Sequence, residues 1–270
     1  MANSSPTIMC NRISANSAGR GGGISCGAGC SATIAFNHIA ENEAPGGGAL
    51  SMSNGDSTIQ DNIIEDNRAE FYGGAICLVS FSQTPLDAPL IIGNIIRRNS
   101  TDRHFEPYLG GGGIYCFGIS PTIINNLIVE NSSCVGAGIC CYEMSIPTIE
   151  NNTIVLNHSS NASGGGGLWL DYYTYLPVIR NCIVWGNGDD LKGFSAKYCL
   201  VEDMDDGIGN IHTDPLFATG PLGEYYLSSA SPCIDAGSQS AVDAGLSGRT
   251  TQEDGSPDTG TVDMGYHYPI

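Results

Sequence analysis

The sequence predicts an all-β solenoid, a rod of stacked coils made of short strands and tight bends. Three observations carry that expectation. An isoleucine anchored in a Thr/Ala/Leu/Val segment recurs every 25 to 32 residues. An asparagine follows six of these anchors at the same distance. Glycine, 37 of 270 residues, gathers in runs of two to four before a short apolar segment. Its share is about twice the usual ~7%. No helical 3.6-residue period is sustained, and so much Gly, Asn and β-branched residue opposes helices.

The elements follow in order along each unit. The anchors are Ile8, Ile34, Ile59, Ile91, Ile123, Ile149 and Ile179. Next comes Asn11, Asn37, Asn62, Asn94, Asn126 or Asn152, then an aliphatic (Ile13, Ile39, Ile64, Ile96, Ile128, Ile154). A second asparagine closes the segment: Asn16, Asn42, Asn67, Asn99, Asn131 or Asn157. The seventh unit reads as offset, with Asn181, Cys182, Val184 and Asn187. Each unit ends in a Gly-rich turn and a short strand, as in Gly22-Gly23-Ile24-Ser25-Cys26 or Gly112-Gly113-Ile114-Tyr115-Cys116. This reads as three strands per coil separated by bends. One coil cannot bury its own apolar face, so coils must stack, roughly 4.8 Å apart. Stacking explains the asparagines: a side-chain amide can bond the neighbouring coil, and Asn tolerates the left-handed backbone of a bend. Glycine supplies positive φ at the sharpest turns. Residues 1–190 are therefore expected to form the coils, and 191–270 a final coil and a loop-rich C-terminal cap.

The I-x-x-N-x-I-x-x-N…G-G-[IA] unit, over about residues 5–190, resembles the repeat of right-handed parallel β-helix proteins, pectate-lyase-like and related secreted bacterial chains. The tail is similar to the ending of many such repeat proteins: Asp214-Pro215-Leu216-Phe217, Tyr226-Leu227, Ser231-Pro232-Cys233-Ile234-Asp235-Ala236-Gly237 and Val262-Asp263-Met264-Gly265-Tyr266. The resemblance implies a right-handed parallel β-helix of about seven coils with an irregular C-terminal cap. Its functional implication is broad, because the fold hosts lyases, hydrolases, epimerases and adhesins.

Charge narrows the partners. Ten Lys and Arg against 28 Asp and Glu give −18, the wrong sign for nucleic acid and for anionic membranes. No apolar run approaches the roughly 20 residues of a membrane span, so no membrane insertion is expected. The start, Met1-Ala2-Asn3-Ser4-Ser5-Pro6, has neither the basic flank nor the apolar stretch of a signal peptide. Since the resemblance implies export, the expectation is an extracellular or cell-surface protein of which this chain is a fragment. Met1 falls partway through a coil, and an open coil end predicts end-to-end or face-to-face self-association. Of the eleven cysteines, Cys26, Cys77, Cys116 and Cys141 read as one inward column with Ser51 and Leu170; free Cys packs there as a small hydrophobe. One or two disulfides are allowed, the stacked Cys116 and Cys141 being within reach of one.

Function should sit where the repeat breaks, because insertions in a solenoid become loops. The long connections are 78–90 and 100–112, expected on opposite edges of one face. Between them, alternation points Ser25, Leu50, Ile76, Tyr115, Cys140 and Trp169 outward. Tyr108, Tyr115, Trp169, Asp171, Tyr172 and Tyr173 are the candidate substrate-binding residues, since sugar rings stack on aromatics while their hydroxyls meet polar groups. The resemblance points to this same face. A lyase would draw its base from Arg103 or His104, and a hydrolase its carboxylate pair from Asp87, Asp102 and Glu106. The Asp-Asp pair with downstream R-I-K of polygalacturonases is absent: Asp189-Asp190 leads into Leu191-Lys192-Gly193. Glu202, Asp203, Asp205 and Asp206 form an acidic run that could hold Ca2+ on a flexible loop, against the plainer reading of a solvated acidic turn. The expected function is polysaccharide binding, with cleavage resting on the named groups. The alternative is a non-catalytic structural or adhesive solenoid that binds another protein.

Overall fold

The computed structural model describes residues 4–81, 88–102, 109–161, 164–171 and 177–270. Among them every strand is two to five residues long and no helix occurs, so none is long and apolar enough to cross a membrane. The strands stack into four parallel sheets, a parallel β-solenoid. The anchor sheet runs through eight strands, from Thr7–Met9 to Ser195–Lys197. The second sheet also has eight, from Arg12–Ser14 to Leu200–Val201. A third, of five short strands, runs from Glu43–Gly46 to His158–Ser159. The glycine-side sheet has seven, from Ile24–Cys26 to Leu191–Lys192. The third sheet is the one the repeat did not announce: its strands are too short and polar to show alternation.

The anchors stack as expected. Ile8, Ile34, Ile59, Ile91, Ile123 and Ile149 pair directly from layer to layer, and from Ile34 onward they lie in the core. The asparagines form two ladders. Asn37 sends its backbone N–H and its side-chain amide to the same Oδ1 of Asn62, at 2.9 and 3.0 Å. Its amide also reaches the Ile8 and Ala35 carbonyls at 2.9 Å. Each rung thus gives the bend's backbone N–H a side-chain acceptor and adds a donor to nearby carbonyls.

Two details differ from expectation. The left-handed residue is the one before each ladder asparagine: Cys10, Phe36, Asp61, Gly93, Asn125, Asn151, Asn181 and Tyr198 all have positive φ. The asparagine accepts the bend's hydrogen bonds, and its neighbour makes the bend. The seventh unit is also in phase. Cys182 takes the rung, accepting from Asn152 N–H at 3.5 Å and donating to the Arg180 carbonyl at 3.1 Å. Cys199 continues it, accepting from Cys182 N–H at 3.3 Å, and Asn210 ends it by accepting from Cys199 N–H at 3.1 Å. The second ladder ends on Asp190, whose Oδ1 accepts from the Asn187 amide at 2.8 Å.

The glycine runs serve two needs. Gly21, Gly47, Gly73 and Gly111 turn with positive φ. The residue after each meets the next layer's backbone: a Cβ on Gly48 would lie 2.2 Å from the Gly74 carbonyl oxygen. Inward from the turn, Cys26, Met52, Leu78, Cys116, Cys141 and Leu170 share one column. Cys77 and Ser51 therefore do not belong to it; they face outward. All eleven cysteines are free, so the expected disulfides are not formed.

The C-terminal region does more than close the end. After the hairpin Phe217–Gly220/Gly223–Leu227, the chain doubles back over the outer face of the second sheet. Ser238 N–H donates to Asn181 Oδ1 at 2.9 Å, Tyr266 N–H to Thr153 Oγ1 at 2.9 Å, and His267 N–H to Asn125 Oδ1 at 2.6 Å. Arg249 reaches Asp61 at 3.2 Å. Tyr226, Leu227, Met264, Tyr266 and Tyr268 pack on Leu127, Val155, Ile183 and Leu200 as a second core. Inside it His267 and Asp258, both buried, pair at 2.8 Å.

Candidate functional site

The outward column of the glycine-side sheet is Ser25, Ser51, Cys77, Tyr115, Cys140, Trp169 and Lys192. Leu50 and Ile76 point inward and are fully buried, contrary to expectation. The slip has a physical cause. Ala49 and Ala75 take the place of the last glycine in their turns, so counting from that glycine shifts the strand by one residue. Since side chains alternate, one residue reverses the face. A second outward column holds Ser53, Val79, Phe117 and Tyr142. Phe117 and Tyr142 are site residues the sequence reading passed over. Alternation from Tyr115 and Cys140 places them outward once the strands extend one residue further, as they do.

These residues form a row of rings along the rod. Phe117 and Tyr142 are 6.3 Å apart and parallel within 4°, and Tyr142 and Trp169 are 5.7 Å apart within 24°. Phe81, 72% exposed, extends the row from Phe117 at 5.8 Å. Tyr115, named as a sugar-stacking residue, is only 5% exposed. Tyr72 stacks on it at 5.1 Å, and burial raises its phenol above the ordinary value. Tyr115 is therefore the floor under the row. Trp169 is half-buried, in register with Lys192.

At one end of the row the outward column shrinks to Ser51 and Cys77, and a cleft of about 160 Å³ opens. Pro45, Phe71, Tyr72, Phe81 and Arg20 wall it. Arg20 has no ion-pair partner among the described residues. Burial raises the Tyr72 phenol and pushes the Cys77 thiol up to about 12, and the Arg20 guanidinium draws both back. Cys77 is thus a protonated thiol and no nucleophile at neutral pH.

The remaining candidates divide. Asp102 is engaged by Arg68 at 2.6 Å, which also holds Glu43 at 3.2 Å, so it is an ion-pair member on the third sheet's edge. Asp171 follows Trp169 at the strand end and donates its N–H to the Cys141 carbonyl at 3.0 Å. Asp87, Arg103, His104, Glu106, Tyr108, Tyr172 and Tyr173 lie outside the described residues. In the acidic run, Glu202 accepts from Gly186 N–H at 2.8 Å, Asp203 from Asp190 N–H at 2.6 Å, and Asp205 from Ala196 and Gly207 N–H at 2.9 and 3.0 Å. Those carboxylates cap the end of the rod. Together with Asp206 they form no group of three or more metal-ligating side chains among the described residues.

Fold and face together define a parallel β-solenoid with an aromatic row and an arginine-edged cleft on one side. Comparison with models of known families, with curated proteins and with solved structures finds no match to this chain.

Proposed function

We propose that the protein binds a polysaccharide along the outer face of its glycine-side sheet. The observation that carries this is the row Phe81, Phe117, Tyr142 and Trp169, with ring centres 5.7 to 6.3 Å apart. Such a row offers an apolar track parallel to the rod, suited to a chain of sugar rings. The cleft beside Phe81 is smaller than the roughly 300–1,000 Å³ of a drug-sized ligand site. It takes one ring of a longer chain, with the Arg20 guanidinium donating to its oxygens. The reading includes an extracellular or cell-surface location, supported by the resemblance of the repeat to secreted pectate-lyase-like proteins. Ten of the eleven thiols are buried, which shields them from an oxidising medium. Binding, rather than a named bond cleavage, is what the described residues support.

The test is affinity electrophoresis or retention on a panel of immobilised polysaccharides, with and without Ca2+. Wild type is retained by at least one glycan, and Trp169→Ala or Phe117→Ala weakens it about tenfold, the equivalent of ~1.4 kcal/mol. Far-UV circular dichroism stays unchanged. If no glycan retains the wild type, the reading fails; a protein partner for the same row, the adhesive alternative, then takes its place.

A further inference from the structure

The outer face of the second sheet carries a column in register, Ile63, Ile95, Leu127, Thr153, Ile183 and Leu200, apolar except for Thr153. The doubled-back C-terminal region buries Leu127, Ile183 and Leu200. It covers Ile95 only in part and leaves Ile63 more open. Ile63 is 38% exposed, and Phe36 at 52% and Leu222 at 57% stand round the same opening. Between them lies a cavity of about 500 Å³, inside the roughly 300–1,000 Å³ range of small-molecule sites. A second hollow of about 280 Å³ shares Ile95, Leu222 and Tyr268 and lengthens it into a trough.

The hollow follows from one corner of the solenoid. Successive layers place Phe36, Asp61, Gly93 and Asn125 there. Asn125 exchanges two hydrogen bonds with His267, at 2.6 and 3.0 Å, and Asp61 holds Arg249. Gly93 between them has no side chain, and a Cβ there would lie 2.2 Å from Asp61 Oδ1. Tyr266 lines the cavity, and among the described residues its hydroxyl reaches only the Gly93 carbonyl, at a long 3.5 Å. Charge decides the ligand class. Arg249 and Asp61 neutralise each other at 3.2 Å, and the Gln60 amide takes the other Asp61 oxygen at 2.9 Å. The lining of the larger cavity therefore offers no net charge, on a chain of −18, while the smaller hollow adds Arg97, Arg98, Glu130 and Glu224.

We propose that the larger cavity binds an uncharged, mainly apolar small molecule bearing one hydroxyl or carbonyl. Its apolar body lies against Phe36, Ile63 and Leu222, and its polar group meets the Tyr266 hydroxyl and Arg249. The site is separate from the aromatic row on the glycine-side sheet. The probe is 2-naphthol, titrated into the full chain and followed by its own fluorescence. Wild type binds it saturably. Ile63→Arg, which fills the mouth from an exposed position, weakens binding at least tenfold, while Trp169→Ala leaves it unchanged. Absence of saturable binding by the wild type overturns the proposal. So does binding that Ile63→Arg leaves intact, or binding lost in Trp169→Ala. Polysaccharide retention by Ile63→Arg equals wild type, so the two sites fail or stand independently.

Discussion

Asn94 offers a measurable test of how the rod is held together. It is fully buried in the middle of the first ladder. Its Oδ1 accepts from both the N–H and the amide of Asn62, each at 2.9 Å. Its own amide donates to the Ile59 carbonyl at 2.8 Å, the Ile92 carbonyl at 3.1 Å and Asn126 Oδ1 at 3.0 Å. In Asn94→Ala the Asn62 N–H loses its acceptor, whereas the Asn62 amide keeps the Ile34 carbonyl at 2.8 Å. A stranded buried group costs ~1–3 kcal/mol. With one donor lost at each of the Ile59 and Ile92 carbonyls, the latter keeping the Asp61 N–H at 3.0 Å, and a small cavity added, the expected loss is about 3–4 kcal/mol. The chain itself supplies the comparison. Cys182 and Cys199 hold this rung with a sulfur that both accepts and donates. Asn94→Cys should therefore lose less, about 2 kcal/mol, since one longer acceptor contact survives. Equilibrium urea unfolding followed by circular dichroism measures both. An Asn94→Ala variant within 1 kcal/mol of wild type would refute the ladder argument. An Asn94→Cys variant no better than Asn94→Ala would refute the equivalence of thiol and amide.

Two further outcomes test the corners and the surface. In Gly74→Ala the new Cβ would lie 2.4 Å from the Gly112 carbonyl oxygen and 2.7 Å from Ser100 N; the melting temperature falls markedly, while Gly19→Ala, with nothing within 4 Å, stays within ~0.5 kcal/mol of wild type. Burial by itself would raise the Glu65 carboxyl, but hydrogen bonds from His38, Arg97 and Arg98 overcome it and bring it down from 4.5 to about 2. A depressed carboxyl stabilises the fold above its unfolded value and ceases to do so as pH falls through the folded one. Wild type should therefore lose stability relative to Glu65→Gln between pH 4.5 and about 2. A difference that stays flat over that interval would show that the cluster contributes nothing.

What the sequence made legible is what the period repeats, and the misreadings sit where chemistry substitutes for the repeated letter. Stacked anchors and ladders were readable because every layer demands the same side chain at the same backbone position. Cys182 looked like a break because a pattern of letters does not say that a thiol can fill an amide's rung. Ala49 and Ala75 shifted the strand count for a related reason. The turn needs glycine where φ is positive or where the next layer's carbonyl approaches, and Ala49 and Ala75 stand just past those two positions. That one-residue error hid the better half of the candidate site, because the same parity that sends Leu50 and Ile76 inward sends Ser51 and Cys77 outward to make the cleft. The fold-back of the C-terminal region leaves still less trace. Its key bonds join Asn125 to His267 and Asp61 to Arg249, 142 and 188 residues apart, and involve single residues at corners where side chains vary freely. Those corners are the left-handed residues ahead of each ladder asparagine. The ladder holds their backbone whatever side chain they carry, and this is why Phe36, Asp61, Gly93 and Asn125 could diverge. Three of those four line the trough, so the regularity of the ladder is what leaves its flanking position free to build a site.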